Sequence, residues 1–426
     1  MTREVIEDGA LRDEVRAWLE EHWDRDLTVD EWWRIVGRAG WTAPHFAAEQ
    51  GGRGLHRTAG RTVRAAFAEF GALRPPGGLG LLMAAPTILA HGTSEQIVRH
   101  VPPVLEGEIN WCQLFSEPGS GSDLAGLTTR AERDGDQWII NGQKVWSSMA
   151  RECDFGMLLA RTDFDAPKHA GISWFAFALD QPGVTIRPLR EMTGEAVFNE
   201  VFFDDAVAED ADLIGGAGNG WAVTQTTLFF ERSGIGAGGV HTGFPVPGPK
   251  GGFLGRRAGD AARDGEPGGN LIVQFADVAR LATTQGRAGD PHVRQELARL
   301  FSYSKLGQWN AQRAKAEAKT GGGQGIANLG KVAQTRIVKT AACLSGEILG
   351  ADAMLAPPDG AEGGRFSAAM VFAPASSIYG GTDEIQRNII AEKALGLPRD
   401  DVPGKGQAYG DFLRSLTTAR PPDGGP

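Results

Sequence analysis

The sequence has few cysteines and no long apolar run. Its 426 residues include three cysteines, Cys112, Cys153 and Cys343, whose wide spacing matches no metal-binding or redox motif. We therefore expect small buried thiols, no metal site and a reducing, cytoplasmic setting. No segment approaches the ~20 apolar residues that span a bilayer, and the acidic N-terminus lacks the pattern of a signal peptide. These features argue against a membrane-spanning or secreted protein.

Basic residues are not in excess either, since the formal net charge is −10. Nucleic-acid binding requires a basic surface that releases counterions, so we expect no nucleic-acid partner. A local arginine can still hold the phosphate of an anionic ligand inside an acidic protein. The length allows two or three domains, each with its own core.

Three kinds of pattern follow one another along the chain. Residues 1–110 carry apolar residues at helical spacing, separated by glycine-rich and proline-rich breaks. Residues 111–218 consist of short β-rich runs, and residues 219–412 are helical again. We predict an N-terminal helical domain, a middle β domain and a C-terminal helical domain, followed by a flexible tail at 413–426.

The middle segment contains several predicted strands. Asn141-Gly142 lies between two β-rich runs, which predicts a hairpin with a type I′ turn. Other strands are predicted at residues 171–179, 184–189 and 198–203. Short strands at this spacing indicate a compact β-sandwich or β-barrel.

The C-terminal segment contains two apolar helical stripes and one stretch without periodicity. We predict that both stripes are buried. They consist of Leu297, Leu300, Phe301 and Leu306, and of Ile337, Ala341, Leu344 and Ile348. Residues 236–269 are rich in glycine and proline and lack apolar periodicity. We therefore expect this stretch to be a mobile excursion from the helical bundle rather than core.

The most informative segment is QLFSEPGSGSD at residues 113–123, followed by KVWSS at 144–148. The Gly/Ser turn offers N–H groups and hydroxyls that could form an anion-binding nest. Trp146 offers a flat surface for an aromatic ring. The alternative interpretation is a surface turn and a core tryptophan.

Four separated motifs, SEPGSGSDLAGL, INGQKVW, REMTG and IYGGTDEIQRNIIAEKALGLP, occur in an order that resembles the acyl-CoA dehydrogenase family. The resemblance runs from about residue 10 to residue 400. It implies an α+β fold with an N-terminal helical domain, a middle β-barrel and a C-terminal four-helix bundle. It also implies that FAD lies between barrel and bundle and oxidises an acyl thioester.

The resemblance assigns a role to each motif residue. Phe115 and Ser116 would contact the isoalloxazine ring, Trp146 would cover one flavin face, and Ser148 would reach the N5 region. Gly121 and Ser122 would bind the pyrophosphate or the CoA end. Thr382 and Glu384 would contact the flavin from the other end. Thr382 is equally well explained as the N-cap of a helix, with acidic residues in its first turn. Both roles are compatible, because a helix N-terminus also suits phosphate or flavin oxygens.

The family's usual catalytic base is absent. Many members carry a glutamate between the tyrosine and glycine of this motif, whereas this chain has Gly380. Other members use a glutamate just before an arginine on the first bundle helix, and Glu231-Arg232 stands there. We predict that Glu231 is the base, that Arg232 helps hold CoA, and that the Gly380 N–H binds the thioester oxygen. The alternative for Glu231-Arg232 is a surface ion pair of at most ~1 kcal/mol.

Other departures leave the assembly open. The family's Arg-x-x-Phe-Gly stretch is not recognisable in residues 278–295, and Glu347 and Ala351 replace the usual adenosine contacts. The resemblance implies a homodimer, a homotetramer or a heteromer of two related chains. It also implies an acyl-CoA or acyl-carrier-protein substrate and an acceptor such as an electron-transfer flavoprotein. The competing functions are a non-catalytic or half-site subunit, and a flavin monooxygenase or oxidase on the same fold.

Overall fold

The structure, a computed structural model, describes residues 8–235, 248–264, 271–319, 326–355, 358–360, 362–399, 401 and 403–418. Helices form the N-terminal part, one sheet forms the middle, and helices form most of the remainder. This order matches the predicted fold class.

The N-terminal domain is built around buried tryptophans. Its helices are α1 (Asp8–His22), α2 (Val29–Arg38), α3 (Ala59–Phe70), α4 (Ala85–His91) and α5 (Ser94–Leu105), with a π-helical turn at Gly80–Ala84. Trp32 and Trp33 of α2 are fully buried, and each indole N–H donates to a main-chain carbonyl, of Leu73 and Arg74 respectively. A capping box between Thr28 and Glu31 satisfies the first N–H groups of α2.

The middle domain is one eight-stranded sheet. Its strands are β1 (Trp111–Leu114), β2 (Arg130–Asp134), β3 (Gln137–Ser148), β4 (Phe155–Arg161), β5 (Ile172–Ala178), β6 (Val184–Leu189), β7 (Phe198–Glu209) and β8 (Leu213–Ile214). The strand order is β6-β7-β3-β2-β4-β5-β8, and β1 pairs with β4. The pairs β1/β4 and β2/β4 are parallel, and the other pairs are antiparallel.

The predicted hairpin at Asn141-Gly142 is wrong. β3 continues through both residues, and its register on β7 shifts between Ile140 and Gly142. The Asn141 side chain exchanges hydrogen bonds with Asp205 on β7 instead of closing a turn. The actual turn joins β2 to β3 at Gly135, whose φ of +64° suits glycine. An Asn-Gly pair therefore marks a bulge here, a role that also tolerates unusual φ.

The C-terminal helices fall into two groups. They are α6 (Gly220–Ile235), α7 (Ala258–Asp264), α8 (Phe275–Thr284), α9 (Pro291–Lys319), α10 (Ile326–Leu349), α11 (Arg365–Phe372), α12 (Asp383–Lys393) and α13 (Tyr409–Thr418). α6 packs on α4 and β5, whereas α8, α9, α11 and α12 pack around α10. None of the helices in this described part of the chain combines the length and hydropathy needed to cross a membrane.

The expectation that residues 236–269 avoid the core is wrong for residues 248–264. Phe253, Ala258 and Ala261 are buried in the N-terminal core, and the Phe253 ring lies 5.5 Å from that of Trp33. The main chain also pairs with α2, since the Val29 N–H donates to Arg256 O. Three apolar residues were enough to anchor the segment, although they form no periodic pattern. Residues 236–247 and 265–270 lie outside the described residues.

The expected flexible tail at 413–426 is also corrected in part. Residues 413–418 continue α13, which begins at the buried Tyr409. The Tyr409 ring and that of Phe412 lie 6.3 Å apart on the same helix. The buried Tyr409 therefore anchors a segment that the Pro/Gly-rich end of the sequence had suggested to be flexible. Residues 419–426 lie outside the described residues.

We predict that Phe253→Ala lowers the free energy of unfolding of the N-terminal domain by about 3 kcal/mol, because it leaves a cavity beside Trp33. The loss can be measured by urea denaturation followed by tryptophan fluorescence. Arg257→Ala removes an exposed ion pair with Asp26 in the same segment and should change stability by less than about 0.5 kcal/mol. Equal stability of both variants and wild type would show that residues 248–264 do not belong to this core.

Candidate active site

Glu231 lies on the last turns of α6, where that helix meets the end of β1. Two hydrogen bonds fix α6 against α4: Thr87 Oγ1 lies 3.1 Å from Thr227 Oγ1, and His91 Nε2 lies 2.8 Å from Thr226 Oγ1. These bonds hold α6 one turn before Glu231, so the helix defines the direction of the Glu231 side chain.

The environment of Glu231 favours a basic carboxylate. The residue is half-buried, and Gln113 Nε2 on β1 donates to its Oε2 over 3.3 Å. Burial raises the pKa of Glu231, while the Gln113 hydrogen bond and the neighbouring Arg232 charge partly oppose that effect. Arg232 itself is exposed. A carboxylate with a raised pKa beside solvent is suited to accept a proton.

A buried ion pair holds the loop that follows β1. Lys144 on β3 is fully buried, and its Nζ lies 2.8 Å from Glu117 Oε1 and 3.0 Å from the carbonyl oxygen of Phe115. The Val145 N–H also donates to the carbonyl oxygen of Ser116. These contacts fasten residues 115–117 to the middle of β3.

Glu117 organises both ends of this loop. Its carboxylate accepts hydrogen bonds from the N–H groups of Thr128 and Thr129, eleven and twelve residues further on. Burial alone would raise its pKa, but the Lys144 charge and these donors lower the pKa of Glu117 to about 2. Burial lowers the pKa of Lys144 to about 8 against the attraction of Glu117. Both groups are therefore charged at neutral pH.

Trp146 occupies a distorted point of β3. Its φ is +63°, and the register of β3 on β7 shifts between Lys144 and Ser147. The indole is 56% exposed and touches the Phe198 ring edge-on, with centroids 5.8 Å apart. A non-glycine residue in this region is strained, and such strain is concentrated at functional sites. The bulge turns a large flat side chain outward, next to Ser148, which is half-buried.

Gly121 and Ser122 form the exposed tip of the loop. Within the described residues, no main-chain hydrogen bond uses the N–H group of either one. Phe115, in contrast, is buried, and Ser116 is half-buried. The tip therefore presents free N–H donors, which suit an anionic group such as a phosphate.

A second cluster lies at the start of α12. Thr382 caps the helix, because its Oγ1 accepts the Ile385 N–H over 3.2 Å. Gly380 has a φ of +64°, and its carbonyl oxygen accepts Gln386 Nε2. Glu384 is exposed and pairs loosely with Arg387. Lys331 of α10 binds Asp383 over 2.9 Å, so this segment is fixed within the C-terminal group of helices.

The predicted site residues thus divide into two groups. The first comprises Phe115, Ser116, Gly121, Ser122, Trp146, Ser148, Glu231 and Arg232, which lie on β1, its loop, β3 and α6. The second comprises Gly380, Thr382 and Glu384. Among the described residues, no hydrogen bond or ion pair joins the two groups. The outward indole of Trp146 fits the ring of a flavin nucleotide. The free N–H groups of Gly121 and Ser122 fit its pyrophosphate.

The sequence reasoning missed the residues that support the first group. Gln113, Glu117 and Lys144 lie inside the quoted motifs, beside the predicted cofactor contacts. The opposite charges of Glu117 and Lys144 within these motifs were the available signal. No group of three or more His, Cys, Asp or Glu side chains in the described ranges is arranged to hold a metal.

Three family models match the chain in order. "Acyl-CoA dehydrogenase, N-terminal domain" matches residues 4–108, "Acyl-CoA dehydrogenase, middle domain" matches residues 112–206, and "Acyl-CoA dehydrogenase, C-terminal domain" matches residues 251–395. Together they span most of the chain.

Individual relatives agree with these matches. The chain is 39% identical over 374 residues to acyl-CoA dehydrogenase IpdE1 of Mycobacterium tuberculosis, covering 87% of this chain and 88% of the relative. The structure is similar to the Tcur3481-Tcur3483 steroid ACAD, with a TM-score of 0.71, 26% identity and 93% and 99% coverage of the two chains. It is also similar to the ChsE4-ChsE5 complex from Mycobacterium tuberculosis, with a TM-score of 0.69, 27% identity and 94% and 100% coverage.

We predict that Lys144→Met destabilises the protein by about 3–5 kcal/mol, because Glu117 is left buried without its counter-charge. The double variant Glu117→Gln/Lys144→Met removes both charges and should be less destabilised than the sum of the two single variants. Chemical denaturation of the four proteins of this cycle measures the coupling. Strict additivity would contradict a direct interaction.

The pair also predicts a pH dependence of stability. The pKa of Glu117 is about 2 in the folded protein and near its ordinary value of 4.5 in the unfolded chain. The stabilisation is therefore complete above pH 4.5 and is lost as the pH falls towards 2. Denaturation between these pH values should show a weaker dependence in Glu117→Gln than in wild type.

Proposed function

The chain belongs to the acyl-CoA dehydrogenase family, and we propose that it introduces an α,β double bond into an acyl-CoA thioester with Glu231 as the base. The protein is an oxidoreductase that acts on acyl-CoA. The observation that carries the proposal is Glu231 itself, a half-buried carboxylate on α6 with a raised pKa, held by Gln113.

In this proposal Glu231 accepts the proton from the carbon next to the thioester carbonyl. A thioester α-proton is a very weak acid, so its removal requires a positioned base. The hydrogen bond from Gln113 uses Oε2, and no described residue donates to Oε1, which is therefore assigned the proton. Arg232, exposed beside it, is assigned to the phosphate-bearing end of CoA.

Members of the family depend on FAD in general. When bound, this cofactor would supply the redox chemistry, as the acceptor of the hydride that leaves the β-carbon. We assign its contacts to Phe115, Ser116, Trp146 and Ser148 for the ring, Gly121 and Ser122 for the pyrophosphate or CoA, and Thr382 and Glu384 from the bundle. The outward indole of Trp146 and the free N–H groups at Gly121 and Ser122 support this assignment.

Gly380 is assigned to the thioester oxygen. No described residue accepts a hydrogen bond from its N–H group, which leaves that donor for the charge that develops on the oxygen. Gly380 has no side chain, and we infer that this leaves space near the reacting carbons. The similar Tcur3481-Tcur3483 protein is a steroid ACAD. We therefore propose a bulky acyl group of the steroid or lipid type, carried by CoA rather than by a carrier protein.

A second chain is proposed as the partner. The similar ChsE4-ChsE5 structure is a complex of two proteins. On α9, Phe301, Leu306 and Trp309 are exposed, although two of them belong to a stripe predicted to be buried. Glu347, which replaces one of the family's usual adenosine contacts, pairs with His292, with 2.9 Å between Glu347 Oε2 and His292 Nε2. These features favour a heteromer in which flavin sites are shared, with an electron-transfer flavoprotein as the acceptor. A half-site or non-catalytic subunit is the alternative function.

We predict that Glu231→Gln slows anaerobic flavin reduction by a competent acyl-CoA at least ~100-fold, because the amide keeps the shape but is not a base. Flavin content should stay at the wild-type level. Glu231→Gln/Gly380→Glu places a carboxylate at the family's more common position and should regain part of the rate, limited by the strain of a side chain at the positive φ of position 380. Reduction of Glu231→Gln at the wild-type rate would eliminate Glu231 as the base.

The wild-type rate should also fall as the pH drops through the pKa of Glu231, which lies above its ordinary value of 4.5. Below that pKa the carboxyl is protonated and cannot accept the α-proton. The residual rate of Glu231→Gln should lack this acid limb. A pH profile of flavin reduction in both proteins makes the comparison.

We further predict that Trp146→Ala weakens flavin affinity by about twofold to tenfold, which corresponds to the ~0.5–1.5 kcal/mol of an aromatic pair. Trp146→Phe keeps a ring and should lose less. The affinity can be measured by flavin fluorescence with the chain alone and with its partner. No flavin binding under either condition would favour the non-catalytic alternative.

A further inference from the structure

Three consecutive carbonyl groups at the base of the Gly/Ser loop accept hydrogen bonds from only two side chains, those of Arg161 and Tyr409. Arg161 of β4 donates from Nη2 to Ala125 O over 2.7 Å and from Nε to Leu127 O over 3.2 Å. Between them, Tyr409 Oη donates to Gly126 O over 2.7 Å. The loop base at residues 125–127 therefore depends on one side chain from the sheet and one from α13.

Arg161 and Tyr409 form a single unit. The Arg161 side chain is fully buried, and its Cζ lies 3.8 Å from the centre of the Tyr409 ring. Burial lowers the pKa of Arg161 to about 10, so the guanidinium remains charged at neutral pH. Burial also raises the pKa of Tyr409, so its hydroxyl keeps the proton that it donates. A desolvated cation over an aromatic face is a favourable contact.

The C-terminal segment is docked by its main chain as well. The Tyr409 N–H donates to Ala166 O over 3.0 Å, and the Gly410 N–H donates to Phe164 O over 2.8 Å. These acceptors lie in the connection after β4, whose Lys168 side chain binds Asp123 in the loop. α13 lies beyond residue 395, where the match to the family's C-terminal domain ends. The contact therefore joins a helix outside the matched domains to residues of the matched middle domain.

Different parts of the loop have different partners. Glu117 and Lys144 hold its ends, Arg161 and Tyr409 hold residues 125–127, and the tip at Gly121 and Ser122 faces outward with free N–H groups. A change at Tyr409 is transmitted to the tip through a few residues of main chain. Displacement of a phosphate-binding turn by a fraction of an ångström is enough to weaken its hydrogen bonds.

We propose that residues 403–418 act as a clamp in which Tyr409 is a positioning residue for the binding of a nucleotide pyrophosphate at residues 120–123. The clamp rests on the proposed function for the identity of the ligand. The pyrophosphate belongs either to FAD or to CoA, and both carry the same phosphate chemistry at this tip. Tyr409 touches neither ligand and acts through Gly126.

The test compares Tyr409→Phe, which removes only the hydrogen bond to Gly126 O, with Tyr409→Ala, which also removes the stack on Arg161. Asp411→Ala is the control, because Asp411 is exposed on α13 and pairs only with Arg414 among the contacts identified for its side chain. The measurements use the full chain, with its partner chain where flavin binding requires one. They are the dissociation constant for FAD, the KM and kcat for an acyl-CoA, and amide hydrogen exchange.

Tyr409→Phe should weaken one of the two ligands about threefold to tenfold, the effect of one neutral hydrogen bond. Tyr409→Ala should weaken it further. A larger dissociation constant for FAD assigns the tip to FAD, and a larger KM with kcat within about twofold assigns it to CoA. Amide exchange of residues 120–129 should become faster in both variants and stay unchanged in Asp411→Ala.

The clamp is overturned if both ligands bind both variants as tightly as wild type. It is also overturned if faster exchange is confined to α13. Wild-type protein that binds no flavin with any partner would instead defeat the proposed function, and the exchange experiment would still decide whether Tyr409 controls the loop.

Discussion

The buried ion pair between Glu117 and Lys144 is the constraint on which the candidate site depends. It joins the loop after β1 to the middle of β3, and it brings residues 128 and 129 to the same carboxylate. Two charges can be buried together only when further hydrogen bonds satisfy them, and here main-chain and threonine donors do so. As a result, the turn with the free N–H groups and the strand with Trp146 keep one fixed relation. Arg161 and Tyr409 complete the support at residues 125–127.

The position of the base follows from a different part of the fold. Glu231 is carried by α6, which is fixed to α4 and packs on β5, and it reaches the end of β1. The carboxylate is therefore placed beside Gln113 at the end of β1. Gly380 belongs to the cluster around α10 and α12, where a positive φ disfavours residues with a side chain. The two halves of the proposed chemistry, a base and an oxygen-binding N–H, are thus held by separate sets of contacts.

The sequence correctly predicted features that depend on residues close together in the chain. The helical stripe of α10 is buried as expected, and Thr382 is the N-cap that its position before two acidic residues indicated. Asn141-Gly142 was misassigned because its preference for positive φ serves a bulge as well as a turn. The anchoring of Phe253 on Trp33 and of Tyr409 on Arg161 depends on partners more than two hundred residues away. Such contacts leave no periodic signal, so both segments appeared unstructured in the sequence.

Proton exchange can show whether Glu231 removes the α-proton, independently of flavin reduction. An acyl-CoA analogue with no hydrogen on its β-carbon cannot be oxidised, but its α-protons can still exchange with solvent deuterium at the active site. We expect deuterium incorporation, measured by NMR, with the wild-type protein and its flavin, and none above background with Glu231→Gln. Equal incorporation in the two proteins would contradict the assignment of the base.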